Sequence, residues 1–293
     1  MITIDPKEIK TGQFHAHMLS AVAPRPIAFA STIDNQGNPN LSPYSFFNAF
    51  GSKPPTLIFS PARRVRDNTI KHTLENVYEN MEVVINVVSY SMVQQASLSS
   101  CEYPKGVSEF IKAGFTPIPS QLVKPFRVKE SPVQFECKVK QVIETGTEGG
   151  AGNLIICEIL LMHINEDVMD SEGRIDPHKI DLVGRCGQDY YCRASGDALF
   201  EVTKPNLKMG IGIDQIPVQI RNSDVLSGND LGQLGNVEAL PNQQAISEFG
   251  NMEEIKNLSA VFASNPESKN KALHFAAKAL IQAGKIEDAW KLL

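Results

Sequence analysis

Two long strand patterns in the middle of the chain constrain the fold most. Apolar and polar residues alternate over 133–140, an apolar run covers 153–164, and the glycine-rich segment 146–152 joins them. The apolar set is Val133, Phe135, Cys137 and Val139, and the polar set is Gln134, Glu136, Lys138 and Lys140. A period of two is typical of a strand with one solvated face. A short connection between two long strands predicts antiparallel pairing.

The segments before this pair predict further strands and few helices. Apolar runs at 27–33, 56–60 and 82–88 indicate strands, and the apolar spacing over 65–80 indicates a helix. The elements do not alternate regularly between strand and helix, as a doubly wound sheet requires. The pattern therefore predicts a mainly β chain of the α+β class, with a closed or half-closed antiparallel barrel.

The character of the sequence changes after Pro205. We expect residues 1–205 to form the barrel domain and residues 206–293 to form a C-terminal extension. Within the extension, 206–250 lacks clear periodicity and is predicted to be irregular, whereas 252–293 is predicted to be a helical hairpin whose longer helix ends at Gly284. One hairpin is too little for a repeat array, so it is interpreted as an appendage packed on the barrel or on a dimer partner.

Bulk composition limits the function and the location. A net charge of -5 argues against a general nucleic-acid binder. The five cysteines have no spacing typical of a zinc site or a disulfide framework. No apolar run is long enough to span a membrane, and residues 1–14 are too charged for a signal peptide, so we expect a cytoplasmic protein without a membrane partner.

Two segments carry candidate binding chemistry. Residues 42–48 form a hydroxyl-rich stretch with interleaved aromatic rings, which could provide a flat slot and polar groups for a planar ligand. The segment 63–73 supplies cations and hydroxyls at the start of the predicted helix. Backbone N–H groups, hydroxyls and cations at a helix N-terminus are what a phosphate requires. A turn and a solvated helix face are the simpler interpretations of each segment alone.

The order of several short motifs resembles the flavin-reductase-like family of FMN-binding proteins. The motifs are Arg25-Pro26 at a strand entry, Ser42-Pro43-Tyr44-Ser45-Phe46-Phe47-Asn48, Lys71-His72-Thr73 with Asn76, Ser131-Pro132-Val133, Gly173-Arg174-Ile175-Asp176-Pro177 and Val183-Gly184-Arg185. The resemblance extends over about residues 10–240. His72 departs from the family pattern, which has aspartate at that position.

The resemblance implies a split β-barrel with Greek-key-like connections, assembled as a homodimer with FMN near the subunit interface. It also implies that NAD(P)H reduces the flavin and that electrons pass to another, unknown acceptor. The implied flavin-loop residues are Ser42, Tyr44, Ser45, Phe46 and Asn48. The implied phosphate-side residues are Ser60, Arg63, Lys71 and Thr73. Arg25, Ser31 and Thr32 are expected along the ring or the ribityl chain, and Arg185 at the mouth.

No residue is predicted to act as a catalytic acid, base or metal ligand. Hydride transfer between nicotinamide and flavin requires no obligatory acid–base pair from the protein. The pair His15 and His17 lacks a third ligand at a suitable spacing, and no G-x-G-x-x-G segment follows a strand. NAD(P)H is therefore expected to bind transiently over the flavin rather than in a domain of its own.

Two other classes of function remain open on the sequence. One is a flavin-binding electron carrier or storage protein without nicotinamide turnover. The other is an interaction protein in which the C-terminal helical hairpin binds a partner and the barrel is a scaffold.

Overall fold

The computed structural model describes residues 1–205, 208–253, 255–256 and 266–293, without the side chains of 266 and 267. The chain divides into two compact units, Met1–Phe200 and Glu201–Leu293. The predicted domain boundary near residue 205 remains a prediction, and the segment 257–265 of the predicted hairpin region lies outside the described residues.

A seven-stranded antiparallel sheet forms the centre of the larger unit, with the strand order β2-β1-β5-β8-β9-β4-β3. Its strands are β1 (Ala28–Ile33), β2 (Pro39–Tyr44), β3 (Phe47–Ser52), β4 (Pro55–Phe59), β5 (Glu82–Val87), β8 (Val133–Glu144) and β9 (Asn153–Ile164). Two small antiparallel pairs join β6 (Pro117–Ile118) to β7 (Arg127–Val128) and β10 (Val183–Arg185) to β11 (Tyr191–Arg193).

The sheet is an open barrel. Strands β2 and β3 are consecutive in the chain, yet they are the two outer strands of the sheet. Only residues 45 and 46 separate them, so the sheet must curl until its two edges meet at this corner. The backbone N–H of Ser60 donates to the Phe46 carbonyl at 2.9 Å and fastens the corner to the end of β4. The predicted split barrel of the α+β class is confirmed.

The predicted antiparallel hairpin is confirmed, but one part of its burial pattern is wrong. Strands β8 and β9 pair from Val133 opposite Ile164 to Glu144 opposite Asn153. Gln134 and Glu136, expected on a solvated face, are buried. A covering loop explains this, because the N–H groups of Gln121 and Leu122 donate to the Glu136 carboxylate at 2.8 and 2.6 Å. His163 contacts the same carboxylate at 2.7 Å.

Four helices belong to the larger unit: α1 (Thr11–Ala21), α2 (His72–Asn80), α3 (Val93–Leu98) and α4 (Glu109–Ala113). Leu74 and Val77 of α2 are buried in the barrel core with residues such as Phe59 and Ile85. On the other side of β1 and β2, Phe29 and Leu41 pack in a second cluster with residues of α3 and α4. The start of α2 is therefore held against the sheet by its own apolar face.

Helix α2 is shorter than predicted. The sequence favoured a helix over 65–80, whereas residues 65–71 form a turn and a loop. Asn68 has a φ of 58°, and Asp67 Oδ1 accepts hydrogen bonds from both the N–H and the hydroxyl of Thr69. Such local side-chain hydrogen bonds compete with helix formation. Val65, counted in the apolar stripe, is 63% exposed.

The smaller unit is helical. The α-helices with described bounds in this unit are α5 (Val218–Arg221), α6 (Gly228–Leu234), α7 (Gln243–Gly250), α8 (Pro266–Gln282) and α9 (Ile286–Leu292). The segment expected to be irregular therefore contains three short helices. Gly284, at a φ of 73°, ends α8 as expected, and the Trp290 indole N–H donates to the Leu234 carbonyl at 2.9 Å inside the core of this unit. Helices of the described residues are nowhere both long and apolar enough to cross a membrane.

Candidate functional site

A cleft with about 310 Å³ of open space brings together four of the predicted site residues. Ser42 and Tyr44 line it from β2, and Lys71 and Thr73 line it from the start of α2. The further lining residues are Asn40, Arg64, His72, Ser99, Ser100, Cys101, Glu102, Tyr103 and Glu109. The hydroxyl-rich stretch and the cationic stretch thus meet in one place, where Tyr44 and Thr73, 29 positions apart in the chain, are hydrogen-bonded.

Strand β2 presents a polar face to α2 because its residues alternate. Asn40, Ser42 and Tyr44 lie opposite Thr32, Ala30 and Ala28 of β1, so all three point to one side of the sheet. The stretch 42–48 was predicted as a loop, but it consists of the end of β2, a two-residue corner and the start of β3. A strand holds these side chains more firmly than a free loop does.

A buried hydrogen-bond network fixes Thr73. The Tyr44 hydroxyl donates to Thr73 Oγ1 at 2.8 Å, and Asn40 Nδ2 donates to the same oxygen at 2.8 Å. Asn40 Nδ2 and Asn76 Nδ2 also donate to Thr32 Oγ1, at 3.2 and 3.1 Å. Burial raises the pKa of Tyr44, so the phenol stays protonated and available as this donor.

The network leaves the Thr73 hydroxyl free to donate one hydrogen bond. A hydroxyl has two acceptor lone pairs and one O–H donor. Asn40 and Tyr44 donate to both lone pairs of Thr73, which leaves its proton available for a third group. Because Thr73 lines the cleft, a ligand with an acceptor oxygen in the cleft can receive it. This is the chemical property that a phosphate site at the helix start needs.

Lys71 and Arg64 supply positive charge beside Thr73. Burial, with a further contribution from the Arg64 charge, lowers the pKa of Lys71. Among the described residues, no carboxylate forms an ion pair with Lys71. Arg64 is more occupied, since its guanidinium donates to Glu102 at 2.9 Å and to the Ile70 carbonyl at 2.8 Å. Lys71 therefore has more unused hydrogen-bond donors for an incoming anion than Arg64 has.

Glu109 forms the acidic wall of the cleft, and it also protects the sheet edge. Its carboxylate accepts the Leu41 N–H at 3.0 Å, which shows that N–H groups at alternate positions of β2 point away from β1. The two other such positions are Pro39 and Pro43, which have no N–H to leave unpaired. Burial raises the pKa of Glu109.

Ser60 and Arg63 lie on the far side of the 63–71 loop and hold it in place. Ser60 Oγ accepts the Asn153 N–H at 3.0 Å. The Arg63 guanidinium donates to the side chain and the carbonyl of Asn68 at 2.7 and 2.9 Å, and the Arg63 N–H donates to the Ala151 carbonyl at 2.8 Å. These contacts fasten the loop to the connection between β8 and β9. Their predicted contact with a phosphate remains a prediction.

The corner residues and β3 are more exposed. Ser45 and Phe46 are partly buried, and the His15 ring packs edge-on against Phe46 with ring centres 6.1 Å apart. Asn48 is exposed on β3 and its Oδ1 accepts the Ala49 N–H at 2.8 Å. The three residues are adjacent to the cleft in sequence, but they do not line it.

The remaining predicted residues take structural positions. Ser31 is fully buried on β1, and its hydroxyl has no hydrogen-bond partner among the described residues. Arg25 is buried, and its terminal nitrogens donate to the carbonyls of Leu19 and Val22 at the end of α1 and to that of Cys186 at 3.1 Å. Arg185 stacks over Tyr191 at 4.8 Å and donates to the Gln188 carbonyl.

Sequence reasoning missed Asn40, Arg64 and Glu109. Asn40 could have been found, because it precedes Ser42 and Tyr44 at the period of two that marks one face of a strand. Arg64 was counted as part of the cationic stretch but not as a residue of the cleft. Glu109 is 68 positions from its partner Leu41, and no local pattern indicates that contact.

The fold and the cleft define a class of protein: an open antiparallel barrel with a hydroxyl- and cation-lined cleft suited to an anionic ligand. Residues 19–178, slightly more than half of the chain, match the family model described as the flavin reductase like domain. The chain belongs to this flavin-related oxidoreductase family, and the resemblance noted in the motifs is confirmed.

Individual relatives agree with this assignment. The chain is 36% identical over 196 residues to an uncharacterized protein of Aquifex aeolicus, covering 67% of this chain and 97% of that protein. The structure of nitrilotriacetate monooxygenase component B from Bacillus cereus is similar, with a TM-score of 0.64, 27% identity, and coverage of 69% and 98%. A Shewanella frigidimarina protein with a split barrel domain has a TM-score of 0.58, 26% identity, and coverage of 70% and 100%.

Proposed function

We propose that the protein is an FMN-dependent oxidoreductase that takes hydride from NAD(P)H onto the flavin and passes the electrons to another acceptor. The observation that carries the proposal is the Thr73 hydroxyl, which accepts two hydrogen bonds, keeps its proton available and lines the cleft beside the partly buried Lys71. Family membership supports the flavin, and the likeness to one component of a monooxygenase supports a redox role.

The residues of the cleft fit the phosphate of FMN. Thr73 donates its hydroxyl proton, Lys71 donates from its ammonium group, and Arg64 adds a fixed positive charge held by Glu102. All three stand at the N-terminal end of α2, where the helix dipole favours an anion. Ser42 offers a hydroxyl on the same face of β2. Riboflavin, which lacks the phosphate, would gain little from these groups.

Bound flavin would supply the hydride-accepting chemistry, and the protein would supply position and exclusion of water. The corner at Ser45 and Phe46 and the first residues of β3 extend from the cleft and provide the apolar and polar surface for the ring. Ser31 and Thr32, on the strand next to β2, are proposed to support this surface from behind. Arg25 and Arg185 are proposed to stabilise the mouth rather than to contact the phosphate.

A homodimer and a cytoplasmic location complete the proposal. Strand β3 is exposed over most of its length, and Phe50 within it is 63% exposed. An outer strand with an exposed aromatic ring is a surface that a second copy of the chain could cover.

The first test measures nicotinamide turnover. Purified protein is mixed with FMN under anaerobic conditions and titrated with NADH and then NADPH while the visible spectrum is recorded. The proposal expects a yellow complex that bleaches with at least one nicotinamide. A yellow complex that only dithionite reduces would instead identify an electron carrier. A protein that never binds FMN, and loses partner binding when 252–293 are deleted, would identify an interaction protein.

The second test separates the phosphate from the ring. Lys71→Ala removes a charge-assisted contact worth about 1.5–3 kcal/mol, so the Kd for FMN is expected to rise about 10- to 100-fold. The Kd for riboflavin is expected to stay within about 2-fold. Lys140→Ala is the charge-matched control, because it removes an exposed lysine of β8 that pairs with Glu158 of β9. Equal weakening of FMN and riboflavin by Lys71→Ala would contradict the phosphate assignment.

A further inference from the structure

Two cysteines meet at the tip of the β10–β11 hairpin. Gly184 lies opposite Cys192, and beyond the last pair of the ladder the Cys186 N–H donates to the Tyr190 carbonyl at 2.9 Å. Residues two apart on a strand share one face, so Cys186 lies on the same face as Gly184 and Cys192. Cys186 and Cys192 are therefore diagonal neighbours across the hairpin.

Pro24 and the Cys192 sulfur fill the space above Gly184. A Cβ atom placed on Gly184 would stand 3.2 Å from Cys192 Sγ, so the absence of a side chain there gives the thiol its room. Burial raises the pKa of Cys192, and the neighbouring Cys186 side chain raises it further. The two thiols are neighbours on this face of the hairpin.

Cys186 has the more cationic surroundings. Arg25 donates to its carbonyl, and Arg185 precedes it in the chain. Burial and the Arg185 charge lower the pKa of Arg25, and the nearby Cys186 side chain acts in the opposite direction. The cationic surroundings make Cys186 the thiol assigned to the first attack.

We propose that Cys186 and Cys192 form a peroxide-reactive thiol pair that closes into an intramolecular disulfide. The Cys186 thiolate attacks one oxygen of hydrogen peroxide, the O–O bond breaks, and the products are a sulfenic acid at Cys186 and hydroxide, which takes up a proton to become water. Cys192 then attacks the Cys186 sulfur as a thiolate, the S–O bond breaks, and the hydroxyl leaves as water after protonation. Two thiols lose two hydrogens and two electrons, and one peroxide becomes two waters.

The hairpin tip can accommodate the bond. Disulfides need Cα atoms within about 4.4–6.8 Å, and diagonal neighbours in a sheet stand at about 7–8 Å. Closing the bond therefore needs an inward movement of about 1 Å. Cys186 lies just outside the three residue pairs of the β10–β11 ladder, so this movement leaves those pairs in place and is taken up at the Cys186 N–H bond to the Tyr190 carbonyl. Gly187 packs closely against Ser20 at the end of α1, since a Cβ added there would collide with Ser20. This contact is expected in both the reduced and the oxidised hairpin.

The test uses the full chain, treated with equimolar hydrogen peroxide and then quenched with an alkylating reagent under denaturing conditions. The expected product has lost the mass of two hydrogens, has three alkylated cysteines of the five, and yields a peptide pair linking Cys186 to Cys192 that dithiothreitol separates. Cys192→Ser is expected to accumulate a sulfenic acid at Cys186 that dimedone traps. Cys101→Ser, which removes an exposed thiol, is the matched control and is expected to form the disulfide normally.

Other outcomes would overturn the proposal. These are five alkylated cysteines after peroxide, a disulfide that maps to Cys101 or joins two chains, or sulfenic acid trapped at Cys192 rather than Cys186. Cys137 and Cys157 are expected to stay reduced, since burial raises the pKa of Cys137 to about 12 and that of Cys157 well above its ordinary value.

Discussion

The buried hydroxyl of Thr73 offers the sharpest test of the network that prepares the cleft. Thr73→Val keeps the shape of the side chain and removes its oxygen. The Tyr44 hydroxyl then loses the Thr73 oxygen that accepts its proton at 2.8 Å, whereas Asn40 keeps its hydrogen bond to Thr32. An orphaned buried donor costs about 1–3 kcal/mol, so we expect the free energy of unfolding to fall by about 2 kcal/mol.

A double-mutant cycle separates the hydrogen bond from other effects. Tyr44→Phe alone is expected to cost about 1 kcal/mol, because Thr73 keeps Asn40 as a donor. Once Thr73 is valine, removing the Tyr44 hydroxyl also removes the orphaned donor. The double variant should therefore be more stable than the sum of the single effects predicts, by about 1 kcal/mol.

The assay is urea unfolding followed by far-UV circular dichroism, because Trp290, the only tryptophan, lies in the smaller unit and does not report on the barrel. Thr147→Val, at an exposed threonine, is the control and is expected to change stability by less than about 0.5 kcal/mol. A Thr73→Val variant as stable as this control, or strictly additive effects in the cycle, would refute the network as described.

Three further predictions concern other parts of the chain. Burial alone would raise the pKa of Glu136, but hydrogen bonds hold it below its usual 4.5. The Glu136 carboxylate therefore stabilises the fold above pH 4.5, and this stabilisation is lost as the pH falls. Glu136→Gln should lower the free energy of unfolding in urea by about 1–3 kcal/mol at pH 7, and the loss should shrink below pH 4.5. Helix α1 has no buried residue of its own, and Arg25 holds its end through the carbonyls of Leu19 and Val22. Arg25→Lys should therefore speed amide hydrogen exchange in residues 11–21, and unchanged exchange would contradict this anchoring role. Trp290→Phe leaves the Leu234 carbonyl unpaired and should destabilise the smaller unit by about 1–3 kcal/mol in thermal unfolding. An unchanged stability would argue against that buried hydrogen bond.

The strands of the barrel could be predicted because their period of two is local. The pairing of β8 with β9 followed from two long patterns and a short connection, and β1, β4 and β5 lie within a residue or two of their predicted bounds. The burial of Glu136 could not be predicted, because the loop that covers it is 14 residues away in the chain and shows no pattern of its own. Local alternation describes one sheet face but not what packs on it.

The candidate site was predicted in part for the same reason. Hydroxyls and cations are visible in the sequence, and the hydrogen bond between Tyr44 and Thr73 joins the two stretches in the folded chain. The helix start was wrong because the side chain of Asp67 forms a local turn that the apolar spacing does not reveal. The separation of Arg63 from the cleft depends on its bonds to Asn68, which only the folded loop brings together.

The most direct test of the central claim is a crystal structure of the protein with FMN bound. The account predicts the phosphate within hydrogen-bond distance of Thr73 Oγ1 and Lys71 Nζ, at the start of α2 and facing Ser42. A phosphate held elsewhere, with Thr73 and Lys71 contacting only protein or solvent, would contradict it.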